Sequence, residues 1–206
     1  MNQIGISLGW NCHSAMWGVN NNIRKHKSEG YNTCPFDVMV TNYKGIVECL
    51  NDNFKYFYDE NYLELVKEPK LDEYSIYNTK YNFCFNNESP GHADLYISEN
   101  WSGGINHFTN ENFKNFKVRY SKRVDNFRSY LSDPNNYITF IITSWEKTSD
   151  DISDLKLAIE KHYPTLKYKV IILNDPNGKE YYLRHMRDMK YTDDDYEIKR
   201  LINVYY

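Results

Sequence analysis

The chain has 206 residues, 41% of them hydrophobic, with 25 Lys and Arg against 28 Asp and Glu and a formal net charge of −3. Both charge signs are interspersed, which excludes a charge-dominated disordered polymer. The slightly acidic balance also argues against a general nucleic-acid binder, whose footprint would be basic.

Ile4 to Leu8 is a short apolar run bounded by glycines, as a buried strand requires. Cys12, Ala15, Met16 and Val19 follow at i, i+3, i+4 and i+7 and predict one helical face, which Gly18 and the run Asn20-Asn21-Asn22 should end early. Lys25 to Thr33 is a polar loop. Pro35-Phe36-Asp37 then leads to Thr41-Asn42, a suitable N-cap for a helix marked by Tyr43, Ile46, Val47, Leu50 and Phe54.

Tyr58 to Asp72 is charged, leans towards helix and stops near Pro69. From Tyr74 to Trp101 the pattern changes. Tyr81, Phe83 and Phe85 alternate with polar residues, Asn86-Asn87 supplies a turn, and Asp94 to Ile97 could pair back, so this region predicts a small antiparallel insertion. Ser102-Gly103-Gly104 is a flexible loop that delivers His107.

Phe113, Phe116, Tyr120, Val124, Phe127 and Leu131 step by three or four and predict a long amphipathic helix, ended by Asp133-Pro134-Asn135. A strand at 137–143, a helix from Asp151 to His162 stopped by Pro164, and a strand at 168–173 form a strand–helix–strand unit, the pattern of a parallel crossover. A last helix is expected from Thr192, with Asp193 to Asp195 at its positive end and Leu201, Ile202 and Tyr205 on its buried face. The expectation is one α/β domain over 1–206, with a mostly parallel central sheet, flanking helices and an inserted hairpin region at about 74–101. The longest apolar runs, such as Val170 to Leu173, are far too short to cross a bilayer.

Sites in parallel sheets lie beyond the carboxyl ends of the strands. Cys12 falls there, just after the first strand and where a helix begins. Unpaired N–H groups and the helix dipole at such a point favour a thiolate, the form that attacks carbonyl carbon. Cys12 is therefore a candidate nucleophile. The alternative is a small packing residue, since its spacing also suits the helix's core face. Cys34, Cys49 and Cys84 look structural. With no C-x-x-C, a zinc site is not expected. The N-terminus Met-Asn-Gln-Ile-Gly has neither a basic region nor a long apolar run, so free thiols in a reducing, cytoplasmic compartment are expected. Abundant Tyr and Asn beside few Ala suggest an AT-rich coding sequence, as in a large DNA virus or a low-GC bacterium; a viral chain would work in the host cytoplasm.

A thiol nucleophile needs an imidazole to take and return its proton, and an acceptor to orient that imidazole. His13 adjoins Cys12, but helical neighbours point about 100° apart, which argues against it. His26 and His162 lie in charged surroundings, and His185 sits among Arg184, Arg187 and Lys190. His92, after Pro90-Gly91, and His107, after the glycine pair, remain, with His107 favoured; both could equally be ordinary loop residues. Asp37 could orient the base or simply cap a helix. Asp175, in Asp175-Pro176-Asn177-Gly178, reads as a turn.

Arg119, Lys122, Arg123 and Arg128 share the long helix. Arg119 and Arg123 could snorkel from a solvated face or form an anion-binding edge for substrate phosphate or carboxylate. No G-x-x-x-x-G-K-[ST], G-x-G-x-x-G or H-E-x-x-H occurs, and neither a metal nor a cofactor is expected.

The order of Ile6-Ser-Leu-Gly-Trp-Asn-Cys12, Pro35-Phe36-Asp37 with Val38 and Thr41, Asn106-His107-Phe108, and the basic helix Arg119 to Arg128 resembles the uncharacterised bacterial and giant-virus family described as papain-like cysteine peptidases. The resemblance covers about residues 4 to 145 by motif. It implies Cys12 as nucleophile, His107 as base and Asp37 as third member. The chain departs from the family pattern at Lys122-Arg123, where the family has two arginines, and at Tyr196, where it has tryptophan. A papain-type fold places its histidine on an antiparallel barrel, whereas the order of elements here predicts a parallel crossover.

The leading expectation is a thiol-dependent hydrolase or acyltransferase acting on a peptide or acyl substrate, with helix amides holding the oxyanion and His92, Arg119 and Arg123 near the substrate. A non-enzymatic interaction protein, using tyrosines as contact surface, is the alternative. A transferase on a phosphorylated or sugar substrate, with the basic helix as its site, is the third.

Overall fold

Ile4 to Leu8 lies inside β1 (Asn2–Gly9), and the two later apolar runs form β5 (Asn136–Ser144) and β6 (Tyr168–Asn174). In the computed structural model, which describes residues 1–67, 74–93, 101–145 and 151–179, they make a parallel sheet ordered β1-β5-β6. Ile4 faces Ile138, Ile6 faces Phe140, and Phe140 faces Val170 across the strands. Side chains alternate between the faces of a strand. Ile6, Leu8, Ile138, Phe140 and Ile142 accordingly enter the main core. The neighbouring Ile141 meets α1 (His13–Asn20) on the other face. The approach there is close. A Cβ on Gly18 would lie 2.6 Å from Ile141 Cδ1, so glycine is what lets the helix sit on the sheet.

The main core fills with aromatic residues. Phe36 lies at its centre, with ring centroids of Phe54, Phe57, Phe83 and Phe127 at 5.7, 5.8, 5.9 and 6.4 Å. Pro35 opens the short 3-10 turn Pro35–Val38 that drives Phe36 inward. Asn42 caps α2 (Tyr43–Asn51), accepting from Gly45 N at 2.7 Å. The helix ends before Phe54, because Asn53 and Phe54 take positive φ.

The charged stretch from Tyr58 is not helical as expected. A 3-10 turn at Glu60–Tyr62 gives way to β2 (Leu63–Lys67), which pairs antiparallel with β3 (Tyr74–Asn78), Leu63 opposite Asn78 and Leu65 opposite Ile76. Cross-strand partners override the helical propensity of Leu, Glu and Lys here. β4 (Phe83–Cys84) completes a second sheet ordered β2-β3-β4, shorter than the Tyr81-to-Phe85 alternation suggested. A single antiparallel bridge from Val40 to Cys84 stitches it to the loop before α2. The proposed pairing strand at Asp94 to Ile97 and the helix from Thr192 lie outside the described residues.

After a 3-10 turn at Asn86–Glu88 comes α3 (Pro90–Ala93), which packs against the turn Gly104–Asn106. The long helix is α4 (Asn110–Ser132), with Glu111 to Phe113 in the left-handed region at its start. Phe116, Tyr120, Val124, Phe127 and Leu131 are buried along one stripe, as their spacing predicts. α5 (Ser153–Glu160) joins β5 to β6 and packs on α2. The result is a mixed α/β domain with a parallel three-stranded sheet and a small antiparallel sheet. No helix among the described residues is long and apolar enough to cross a membrane.

Candidate functional site

β1 ends in Gly9 at φ +102°, where a Cβ would collide with Thr41 Oγ1 at 2.1 Å. Glycine therefore permits the reversal that brings Trp10 O onto Thr41 N at 2.6 Å and starts α1 immediately afterwards. Cys12 is the N-cap residue of α1. Its carbonyl accepts the first intrahelical bond, from Met16 N at 3.0 Å. The residue is exposed, whereas Cys34, Cys49 and Cys84 are all buried. The helix start, the exposure and the carboxyl edge of the sheet coincide as the sequence suggests, and Cys12 does not serve as a packing residue.

Its ionisation differs from expectation. Neighbouring atoms partly desolvate the sulfur and push the thiol above its usual value, while a hydrogen bond to its own backbone amide pulls the other way without prevailing. The first helix amide is also committed, because Asn11 Oδ1 accepts from His13 N at 2.7 Å. A resting thiolate was expected from dipole and amides alone. A two-turn helix with an occupied first amide does not overcome the desolvation.

Beside Cys12, His13 Nδ1 lies 3.4 Å from Thr143 Oγ1, at the end of β5. Ser14 is fully buried; its hydroxyl contacts Gly9 O and lies 2.8 Å from Thr143 Oγ1. Trp10 and Trp145 meet edge to face at 5.4 Å. A Cβ on Gly178 would lie 3.0 Å from both tryptophans and 3.1 Å from Asp175 Oδ2, so the loop after β6 closes on the same edge. Asp175 accepts from Asn177 N at 3.1 Å, as its turn pattern suggests.

His107 is held elsewhere. Its ring stacks on Trp101 at 5.3 Å and 14°, Nδ1 lies 3.0 Å from Ser102 O, and its carbonyl accepts from Asn115 Nδ2 at 3.1 Å. Among the described residues no hydrogen bond joins His107 to Cys12. His92 falls on α3, the element that packs beside the turn leading to His107.

Asp37 is 1% exposed, and among the described residues no hydrogen bond joins it to His107. Its Oδ2 accepts from Cys34 N at 2.7 Å and from Arg24 Nη2 at 3.1 Å, while Oδ1 has no hydrogen-bond partner. Burial outweighs Arg24 and raises its carboxyl above the usual range. The residue caps its own turn and neutralises Arg24, whose guanidinium lies 4.0 Å over Tyr31.

Arg119 and Arg123 turn inward onto Glu88, a residue sequence inspection passes over. Glu88 is 1% exposed; its Oε1 lies 3.1 Å from Arg123 Nη1 and 3.4 Å from Arg119 Nη1, and Oε2 accepts from Tyr120 OH at 2.8 Å. Arg119 also lies 4.7 Å from Phe108 and 5.7 Å from Trp101. Both guanidiniums of this helix edge thus have an internal carboxylate within ion-pair distance. The one signal available was that two arginines a turn apart need a carboxylate if buried. A surface cavity of about 330 Å³ lined by Leu131, Asp133, Asn136, His162, Tyr163 and Lys167 lies at the opposite, amino-terminal edge of the sheet from Cys12. Among the described residues no His, Cys, Asp and Glu cluster suits a metal ion.

These features define a mixed α/β protein whose accessible thiol sits at the carboxyl edge of its parallel sheet. The chain belongs to the family described as "Putative papain-like cysteine peptidase (DUF1796)", whose model matches residues 3–178. Searches of curated proteins and of solved structures found no match.

Proposed function

We propose that the protein is a thiol-dependent hydrolase or acyltransferase in which Cys12 is the nucleophile. The observation that carries this reading is that, of four cysteines, Cys12 alone is exposed, and it stands at the helix N-cap beyond β1. The family description supports the same class of chemistry. The thiol rests protonated, so a base takes its proton as sulfur bonds to the carbonyl carbon and the carbonyl pair moves to oxygen. The Ser14 and Ala15 amides, which precede the first intrahelical bond, are the donors left for that oxyanion. Collapse restores the carbonyl and expels the leaving group, which takes the proton. Water, or another acceptor, then releases the acyl group from sulfur.

The test is an acyl-ester assay with Cys12→Ala beside alkylation mapped by mass spectrometry. Turnover with an initial burst that Cys12→Ala abolishes is expected; equal turnover by both proteins refutes the reading. Iodoacetamide should label Cys12 in the folded protein, at pH 7 more slowly than free cysteine, and label Cys34, Cys49 and Cys84 only after denaturation. The contacts that hold His107 on Trp101 favour a second reading, an interaction protein without turnover, which a silent ester assay would support.

A further inference from the structure

The hydrogen-bond partners around Ser14 fix where its proton and those of its neighbours lie. Gly9 O can only accept, and Ser14 Oγ lies in very close contact with it, so Ser14 spends its one proton there. Ser14 Oγ still accepts from Thr143 N at 2.9 Å. Its other neighbour, Thr143 Oγ1 at 2.8 Å, must then be the donor, because Ser14 has no proton left to give. Thr143 in turn has spent its only hydroxyl proton and meets His13 Nδ1, at 3.4 Å, with lone pairs alone. Nδ1 must therefore carry a hydrogen, and in the neutral ring Nε2 is left as the basic nitrogen. Ser14 and Thr143 are 0% and 1% exposed, so the chain is sheltered from water, while His13 itself is exposed at its end.

We infer that His13 is the proton carrier for Cys12, held in its Nδ1–H tautomer by Thr143, with Ser14 and Gly9 O fixing the direction of the chain. The catalytic role rests on the thiol reading above; the tautomer does not. Successive helical residues point about 100° apart, so the Cys12 proton reaches Nε2 through one water molecule rather than by direct contact. The sulfur bonds to the carbonyl carbon as that proton leaves. The imidazolium returns it to the leaving group as the carbon–leaving-group bond breaks. A second water then gives a proton to Nε2 and its oxygen to the acyl carbon; the carbon–sulfur bond breaks and the thiol recovers the proton. Thr143 is a positioning residue: it touches no reacting atom and acts through the ring.

The first measurement is ¹⁵N NMR of His13 at a pH where the ring is neutral. Nδ1–H is expected, and Thr143→Val should release the ring to a mixture; a native Nε2–H tautomer overturns the inference. The second is turnover of p-nitrophenyl acetate. His13→Gln should lower acyl transfer by about 10²-fold, with partial rescue by added imidazole in His13→Ala. Cys34, Cys49 and Cys84 should stay protected from iodoacetamide in His13→Gln as in the unaltered protein, which shows that the variant folds. Equal turnover in His13→Gln and the unaltered protein overturns the role of His13 while Cys12 stands. Turnover that survives Cys12→Ala, or no turnover above that background, overturns the thiol reading and the catalytic role together, and the tautomer is judged by NMR alone.

Discussion

Replacing Glu88 by alanine tests whether the insertion is fastened to the long helix by charge. The side chain is 1% exposed and faces two arginines, one of them, Arg123, with a side chain only 10% exposed. It also receives the hydroxyl of the fully buried Tyr120. Removal leaves Arg123 charged with no counter-ion at that point and Tyr120 without its acceptor. Breaking a buried ion pair from one side costs about 3–5 kcal/mol. For a chain of this size that corresponds to a fall in Tm of roughly 6–20 °C. Glu88→Gln retains an acceptor for Tyr120 and should lose about half as much. Chemical denaturation followed by circular dichroism gives the free energies, and Arg123→Met completes a double-mutant cycle. The two substitutions should fall short of additivity by about 1–3 kcal/mol, since Arg123→Met removes the charge that Glu88→Ala strands. A loss under about 1 kcal/mol for Glu88→Ala, or strict additivity in the cycle, would show that the cluster contributes little and that the aromatic core alone holds the insertion.

Asp37, raised by burial, binds a proton more readily folded than unfolded, so its contribution is fullest below the usual carboxylate range and is lost as pH rises through the folded value. The stability difference between the unaltered protein and Asp37→Asn should therefore shrink or turn against the unaltered protein as pH rises through that window in urea titrations; a difference that grows with pH refutes the assignment. Gly9→Ala should destabilise by about 2 kcal/mol or more, from left-handed strain added to the overlap with Thr41. The pair Gly9→Ala with Thr41→Ala should recover the part due to overlap, read as a partial return of the denaturation midpoint.

Much of the frame was legible in the residues. The runs Ile4 to Leu8 and 137–143 are largely apolar, as strands buried on both faces require; 168–173 carries a similar run and forms the partly covered strand beside them. The stripe from Phe116 to Leu131 repeats at the helical period over several turns, too long for chance. Asn42 showed itself as a cap by chemistry alone. Leu63 to Lys67 did not, because a five-residue strand at the margin of a small sheet is decided by its partner at 74–78 and not by its own propensities. His107 looked available because a glycine pair precedes it; its stacking partner Trp101 is six residues away, and nothing local marks that contact.

Chemistry along the chain was enough to single out Cys12, since a thiol after an apolar run and a glycine reversal must stand at the end of a strand. The groups that orient His13 and neutralise the arginines of α4 were not legible in this way, because they lie across the fold. Thr143 is 130 residues from His13, and Glu88 is more than 30 from Arg119 and Arg123, at separations where only the packed chain brings groups together. Periodicity and turn chemistry act over a few residues and so determine elements and the place of the exposed thiol. Desolvation of a sulfur, the counter-ion of a buried arginine and the tautomer of an imidazole depend on neighbours supplied by other elements, and the tertiary structure alone decides them.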